Sequence, residues 1–135
     1  MLKVLIADDH AIVRKGLKEV LRESAEPTSV GEARDGDEAL AKIQSEAWDV
    51  VVLDITMPGL DGIQAARQLL RIACRAKLVF LTVHDDPDYV RAALDAGGTA
   101  YVAKARLASD LIPAINASLL GERFLSPTLH LGEKP

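Results

Sequence analysis

The sequence predicts an α/β fold: a doubly wound parallel sheet of five strands, order 2-1-3-4-5, with five helices. Three observations carry this. Short apolar runs alternate five times with helix-patterned segments. The strongest runs are solidly apolar, as parallel strands covered on both faces should be. Each strong run also breaks off at a polar or charged residue.

Val4-Leu5-Ile6-Ala7 reads as the first strand. Ile12, Val13, Leu17, Val20 and Leu21 then make one apolar stripe on a first helix. Ser29 to Ala33 is a weaker second strand, expected near an edge. Asp35 followed by Glu38 resembles a capping box for a second helix. The third strand is Val50-Val51-Val52-Leu53, after which Asp61 can cap a helix carrying Ile63, Ala66, Leu69 and Leu70. Leu78-Val79-Phe80-Leu81 is the fourth strand. Asp86 as N-cap, Pro87 at the first helical position and Asp88 beside the positive end open a fourth helix. Ala100-Tyr101-Val102-Ala103 forms the fifth strand. Ser109 is expected to cap a fifth helix, with Pro113 still in its first turn, where a missing N–H does little harm. Right-handed crossovers follow, and at this length the strand order is the flavodoxin-like one.

With 135 residues, 49% of them hydrophobic, the chain can build one domain with a proper core. No stretch approaches the roughly 18 uninterrupted apolar residues of a membrane helix. Met1-Leu2-Lys3 runs straight into the first strand, so no signal peptide is expected. The single Cys74 excludes an internal disulfide and fits a reducing cytoplasm. A net charge of −4, with acids and bases mixed along the chain, argues against nucleic-acid binding by these residues themselves.

The chemistry lies in what ends the strands. The first ends in Asp8-Asp9, the third in Asp54, the fourth in Thr82 and the fifth in Lys104. Open α/β sheets bind ligands beyond the carboxyl ends of their strands. Three acids, a hydroxyl and an ammonium are therefore expected together. Crowded carboxylates must raise a pKa or bind a cation, and hard oxygen ligands in a watery crevice suit Mg²⁺. Magnesium favours a phosphate ligand, and Asp54 attacking phosphorus gives an aspartyl phosphate. Metal, lysine and threonine hydroxyl can then stabilise the transferring group. Taken singly, each residue has a plainer reading. Asp54 alone is a turn residue, Asp8-Asp9-His10 a helix cap, Thr82 a strand residue and Lys104 a solvated charge. Five such residues at four strand ends of one sheet favour the functional reading. His10 and His84 read as rim or helix-start residues, since no soft-metal set completes them.

The stretches "IADDH", "VVLDITMPGLDG", "LTVHDD" and "AYVAKA" make the chain resemble the receiver domain of bacterial two-component response regulators, over residues 2 to 121. "LLGERFLSPTL" resembles the receiver end and linker of the NarL/FixJ (LuxR-type) subfamily. The resemblance implies a phosphorylation-activated switch rather than a turnover enzyme, cytoplasmic, fed by a sensor histidine kinase. Asp54 matches the phosphoacceptor, and Asp8 and Asp9 the Mg²⁺-binding pair. Thr56 matches the position giving a backbone carbonyl to the metal. Thr82 matches the switch hydroxyl, Tyr101 the switch aromatic and Lys104 the phosphate-binding lysine. Phosphorylation is then expected to remodel the face of the fourth helix, fifth strand and fifth helix. That face would control a homodimer or an output domain that contacts DNA.

Residues 1–121 are accordingly read as the receiver and 122–135 as linker, without room for a helix-turn-helix. Two residues depart from the usual pattern. Ala105 follows Lys104 where many receivers have proline at a cis bond, and Thr56 occupies a variable position that tunes phosphate lifetime. The rival reading is a haloacid-dehalogenase-type Mg²⁺ phosphatase with Asp54 as nucleophile. It lacks the acid that family needs two residues on, where Thr56 stands.

Overall fold

The apolar runs become the strands of one parallel sheet in the computed structural model, which describes residues 2–24, 28–54, 67–68, 71, 75–83, 91, 95 and 99–127. The strands are β1 (Leu2–Ala7), β2 (Thr28–Ala33), β3 (Val50–Asp54), β4 (Lys77–Thr82), β5 (Ala100–Ala103) and β6 (Phe124–Leu125). Their order is β2-β1-β3-β4-β5-β6, with β2 at an edge as expected. The full helices are α1 (Ala11–Arg22), α2 (Gly36–Ser45) and α3 (Leu107–Leu119), the last being the fifth predicted helix. Of the third and fourth predicted helices, only residues 67, 68, 71, 91 and 95 are described, and they are helical. Asp61, Asp86, Pro87, Asp88 and Cys74 lie outside the described residues.

Side-chain alternation splits the core into two layers. Val4, Ile6, Val50, Val52, Val79, Leu81, Ala100 and Val102 pack with Leu17 and Leu21 of α1 and Leu111, Ala114 and Ile115 of α3. Leu5, Val51, Leu53, Leu78, Phe80 and Tyr101 face the other way, onto Ala39 and Ile43 of α2 and onto Trp48. Burial on both faces explains why the strands read as unbroken apolar runs.

Four local details differ from the sequence reading. Ile12, assigned to the α1 stripe, is exposed. At about 100° per residue it lies some 140° around the helix from Leu17, off the buried face. The α2 capping box forms, with Glu38 N–H donating to Asp35 Oδ1 at 2.8 Å. Its return bond lands one residue early, from Arg34 N–H to Glu38 Oε1 at 2.9 Å. Helix α3 begins two residues before Ser109, directly after a 3₁₀ turn at Lys104–Arg106. Pro113 is therefore inside the helix rather than in its first turn. Its fixed φ suits the helix, while the missing N–H removes one bond of the ladder.

The sixth strand was not anticipated. It arises because α3 ends in a Schellman motif: Glu122 N–H donates to Ala117 O at 2.8 Å and Gly121 N–H to Ser118 O at 3.0 Å. The motif requires a left-handed residue, and Gly121 supplies φ 77°. The chain turns back, and Phe124 and Leu125 pair in parallel with Ala100 and Tyr101. Sheet pairing thus extends into the segment first read as linker.

At the opposite end of the sheet from the polar strand ends, Trp48 packs over Gly31 of β2. Its indole N–H donates to Lys42 O at 3.0 Å, and Lys3 Nζ sits 4.9 Å from the ring centroid. A methyl group at Gly31 would overlap the ring. Gly31→Ala should therefore displace Trp48, red-shift its emission and cost about 1–3 kcal/mol in chemical denaturation. Unchanged emission and midpoint would show that the ring is not held against β2.

Candidate functional site

Strand register assembles the polar residues. Ala7 pairs with Leu53, so Asp8 and Asp54 end neighbouring strands side by side. Asp54 pairs with Leu81 and Thr82 with Ala103, which places Lys104 one step beyond β5. Asp8 N–H is pinned to Ala33 O at 3.1 Å, tying the first acid to β2. Asp8, Asp54 and Thr82 are all buried.

Electrostatics dominates here. Lys104 Nζ donates to Asp54 Oδ2 at 3.0 Å. It also lies 3.1 Å from Asp8 Oδ2, an ion pair without hydrogen-bond alignment. Burial, the largest single influence on Lys104, favours the neutral amine. The Asp54 hydrogen bond and the close carboxylates of Asp54 and Asp8 together outweigh it and hold the ammonium above its ordinary pKa. One ammonium among the carboxylates of Asp8, Asp9 and Asp54 leaves the centre net negative. The Lys104–Ala105 peptide is trans, no cis bond occurring among the described residues. Alanine leaves a secondary amide, for which the cis form costs about 3 kcal/mol.

The surplus negative charge suits a cation. Asp8, Asp9, His10 and Asp54 each offer a ligand atom, all within 4.8 Å of one another. Opposed ligands of Mg²⁺ stand about 4.2 Å apart, so small inward shifts suffice. Asp8 Oδ2 and Asp9 Oδ1 are buried and receive no hydrogen bond among the described residues. Each has a nitrogen close by, Lys104 Nζ at 3.1 Å and His10 Nδ1 at 3.2 Å, yet buried carboxylate oxygens lacking an aligned donor have room for a further ligand. The acids therefore fit a hard divalent ion. Thr56 and His84 lie outside the described residues.

Residues 4–116 match the model of the response regulator receiver domain. The chain belongs to that family. It is similar to the response regulator UvrY of Escherichia coli strain K12, 32% identical over 93% of this chain and 58% of that protein. It is also similar to the response regulator GacA of Pseudomonas syringae, at 35% over 96% and 60%. The chain thus spans about 60% of the length of these curated relatives. Among solved structures, a LuxR-family two-component response regulator from Aurantimonas superposes with a TM-score of 0.84 at 35% identity, covering 93% of this chain and 89% of that one. The isolated receiver of RcsB from Salmonella enterica, with the phosphomimetic BeF₃⁻, gives 0.87 at 29%, covering 95% of each. These are regulators of the NarL/FixJ type, and the phosphatase alternative gains no support from them.

Within this receiver, Thr82 and Tyr101 share a sheet face. Thr82 pairs with Ala103, two residues after Tyr101, so the two are diagonal neighbours on the α2 side. Tyr101 is fully buried, its ring 5.9 Å from that of Phe80 and tilted by 45°. Asp54 alternates to the opposite face, with Val50 and Val52.

Two contributors escaped the sequence reading. His10 reads as a rim or helix-start residue, and it does stand exposed at the N-cap of α1. Yet its Nδ1 lies 3.2 Å from both Asp8 Oδ1 and Asp9 Oδ1, and its N–H donates to Asp8 Oδ1 at 2.8 Å. Arg14 reaches back from α1, donating from Nη1 to Asp8 O at 2.7 Å and from Nε to Glu32 Oε1 at 3.1 Å. The Asp8 peptide is thereby held at both its N–H and its carbonyl. An arginine four residues into a helix carries no sequence signal for that job.

Isothermal titration of the unphosphorylated protein with Mg²⁺ should show one site, weakened at least about tenfold in Asp9→Asn. Trp48 should report it poorly, being six residues before Asp54, roughly 20 Å along an extended strand. Equal Mg²⁺ affinity in Asp9→Asn would remove the acid pair from the site.

Proposed function

We propose that this domain is a phosphorylation-controlled switch that takes a phosphoryl group onto Asp54 from the phosphohistidine of a sensor histidine kinase. The observation that carries the reading is the buried Asp54 carboxylate, joined by the Lys104 ammonium to the buried Asp8. Asp54 supplies the attacking oxygen. The new O–P bond forms as the P–N bond to the donor imidazole breaks, and the nitrogen leaves with the bonding pair. Lys104, already charged and within reach, can follow an equatorial phosphoryl oxygen. Thr82 ends the adjacent strand, and its hydroxyl would reach another by turning around the strand end toward Asp54. Asp8 and Asp9 would hold Mg²⁺, with Asp54 and the Thr56 carbonyl completing the set. A bound Mg²⁺ would offset the charge on the incoming group, about −1.5 to −2, which one lysine cannot do alone. No described helix is long and apolar enough to cross a membrane, and we place the domain in the cytoplasm with its kinase's catalytic part.

The readout runs through Thr82 and Tyr101. Drawing the Thr82 hydroxyl toward a phosphoryl oxygen changes the packing beside Tyr101, its diagonal neighbour. The bistable surface is that of the fourth predicted helix, β5 and α3, controlling a homodimer and, in a longer protein, DNA binding by an output domain. RcsB of Salmonella typhimurium, similar over 95% of this chain, has been solved for its interaction with DNA.

Acetyl phosphate with Mg²⁺ should add one phosphoryl group, detected by intact mass, labile to hydroxylamine and lost in Asp54→Asn. EDTA should prevent it. A hydroxylamine-stable adduct, or one retained by Asp54→Asn, would sink the assignment.

Beryllofluoride should raise the apparent mass in light scattering and shift the Tyr101 ring signals in NMR. Thr82→Ala should blunt both responses. A full response in Thr82→Ala would break the proposed coupling while leaving Asp54 untouched.

A further inference from the structure

Asp110 is a buried carboxylate with no part in the chemistry above. It stands in the first turn of α3, and its side chain is only 7% exposed. Arg106 Nε donates to Asp110 Oδ2 at 2.8 Å, and Ser109 Oγ to Oδ1 at 3.0 Å. The Ser126 hydroxyl donates to Oδ2 at 2.7 Å. Burial, the largest single influence, pushes the Asp110 carboxyl up. The hydrogen bonds from Arg106, Ser126 and Ser109 outweigh it and hold the group below the usual carboxylate range.

Ser126 has a second role. While donating to Asp110, its Oγ accepts from Ala103 N–H at 3.1 Å, and its own N–H donates to Tyr101 O at 3.1 Å. Ala103 immediately precedes the 3₁₀ turn Lys104–Arg106, and Arg106 ends it. The Ser126–Asp110 pair therefore grips both ends of the three-residue turn that carries Lys104. A lysine side chain has four flexible carbons and does not place its own ammonium. Its 3.0 and 3.1 Å contacts with Asp54 and Asp8 depend on where its backbone is held.

We propose that Asp110 and Ser126 are positioning residues for Lys104, which makes the segment at 124–127 part of the phosphoryl site rather than a tether leaving it. The bare structural alternative is that Asp110 favours a helix N-terminus and Ser126 closes the sheet edge, with no effect at the site. The same clamp carries a consequence for signalling. Any pull on the chain after Leu125 is felt at Ala103, and any movement of Lys104 toward a phosphoryl oxygen is felt at Ser126. This rests on the role given to Lys104 above.

The test uses the full chain with Ser126→Ala, Asp110→Asn, Lys104→Met and a control, Thr99→Val. Thr99 Oγ1 joins β5 to α3 at the other end of the strand, bonding Ser118 Oγ at 2.9 Å. Two readouts are taken: the rate of phosphorylation by acetyl phosphate, and the side-chain order parameter of Lys104 by ¹³C NMR at one pH without phosphate or metal. Ser126→Ala and Asp110→Asn should each slow phosphorylation roughly tenfold, in line with the cost of small misplacements. Both should lower the Lys104 order parameter as its ammonium leaves Asp54 and Asp8. Thr99→Val, at a matched loss of melting temperature, should change neither. An unaltered Lys104 order parameter in folded Ser126→Ala or Asp110→Asn overturns the proposal, as does an equal loss in Thr99→Val. Should Ser126→Ala not fold, Asp110→Asn decides. A Lys104→Met variant phosphorylated at the parent rate would instead overturn the role of Lys104, and the order parameter would still judge the clamp.

Discussion

The Lys104 ammonium set between Asp54 and Asp8 is the interaction on which the rest of this domain turns. Two carboxylates fully buried at adjacent strand ends have given up hydration that no apolar contact returns. A partner charge in the same dry space, the Lys104 ammonium, offsets that loss. The lysine comes from β5, two strands away from β3 and three from β1. The pairings β1–β3, β3–β4 and β4–β5 must therefore all be in register before the charges meet. Sheet order and chemistry are one constraint.

That arrangement is balanced short of neutrality. One ammonium serves several carboxylates, and the buried oxygens of Asp8 and Asp9 lack hydrogen bonds among the described residues. A fold selected only for stability would replace such a cluster with apolar side chains, which is often neutral or favourable. Keeping it leaves a cluster of carboxylates whose charge suits a cation. The unsatisfied state gives ligands their leverage, because a ligand shifts a conformational equilibrium only through what it offers one state over another.

Backbone anchoring supports this centre from both sides. Arg14 and the β2 carbonyl of Ala33 fix the Asp8 peptide. Ser126 and Asp110 fix the turn after β5. Arg14 in turn binds Glu32, where Lys18 contributes a 2.9 Å bond. The Lys18 hydrogen bond is the largest influence on that carboxyl, which with help from Arg14 stays below its usual range despite partial burial. Both anchors reach the site through main-chain atoms, so their side chains need not touch a ligand to matter.

By itself the sequence determined the parts whose signal is local or repeated. The central strands were legible because burial on both faces demands unbroken apolar runs, and the edge position of β2 because its run is weaker. The Asp35–Glu38 cap was legible because its bonds close within four residues. That Asp8, Asp54, Thr82 and Lys104 come to one edge could be read because each stands at a strand end, and strand ends of an open sheet meet. Tertiary structure decided whatever depends on distant chain. Ile12 belonged to an apolar pattern but falls off the buried arc of α1. The start of α3 was set by the 3₁₀ turn after Lys104 and not by Ser109. Phe124 and Leu125 became a strand because Gly121 reverses the chain against a free edge of β5, which two residues cannot announce. Arg14 and Ser126 act on Asp8 and Ala103 across folded space, through hydrogen bonds to backbone atoms that every residue carries. Such bonds leave no mark in composition or spacing, and the folded chain alone selects which ones form.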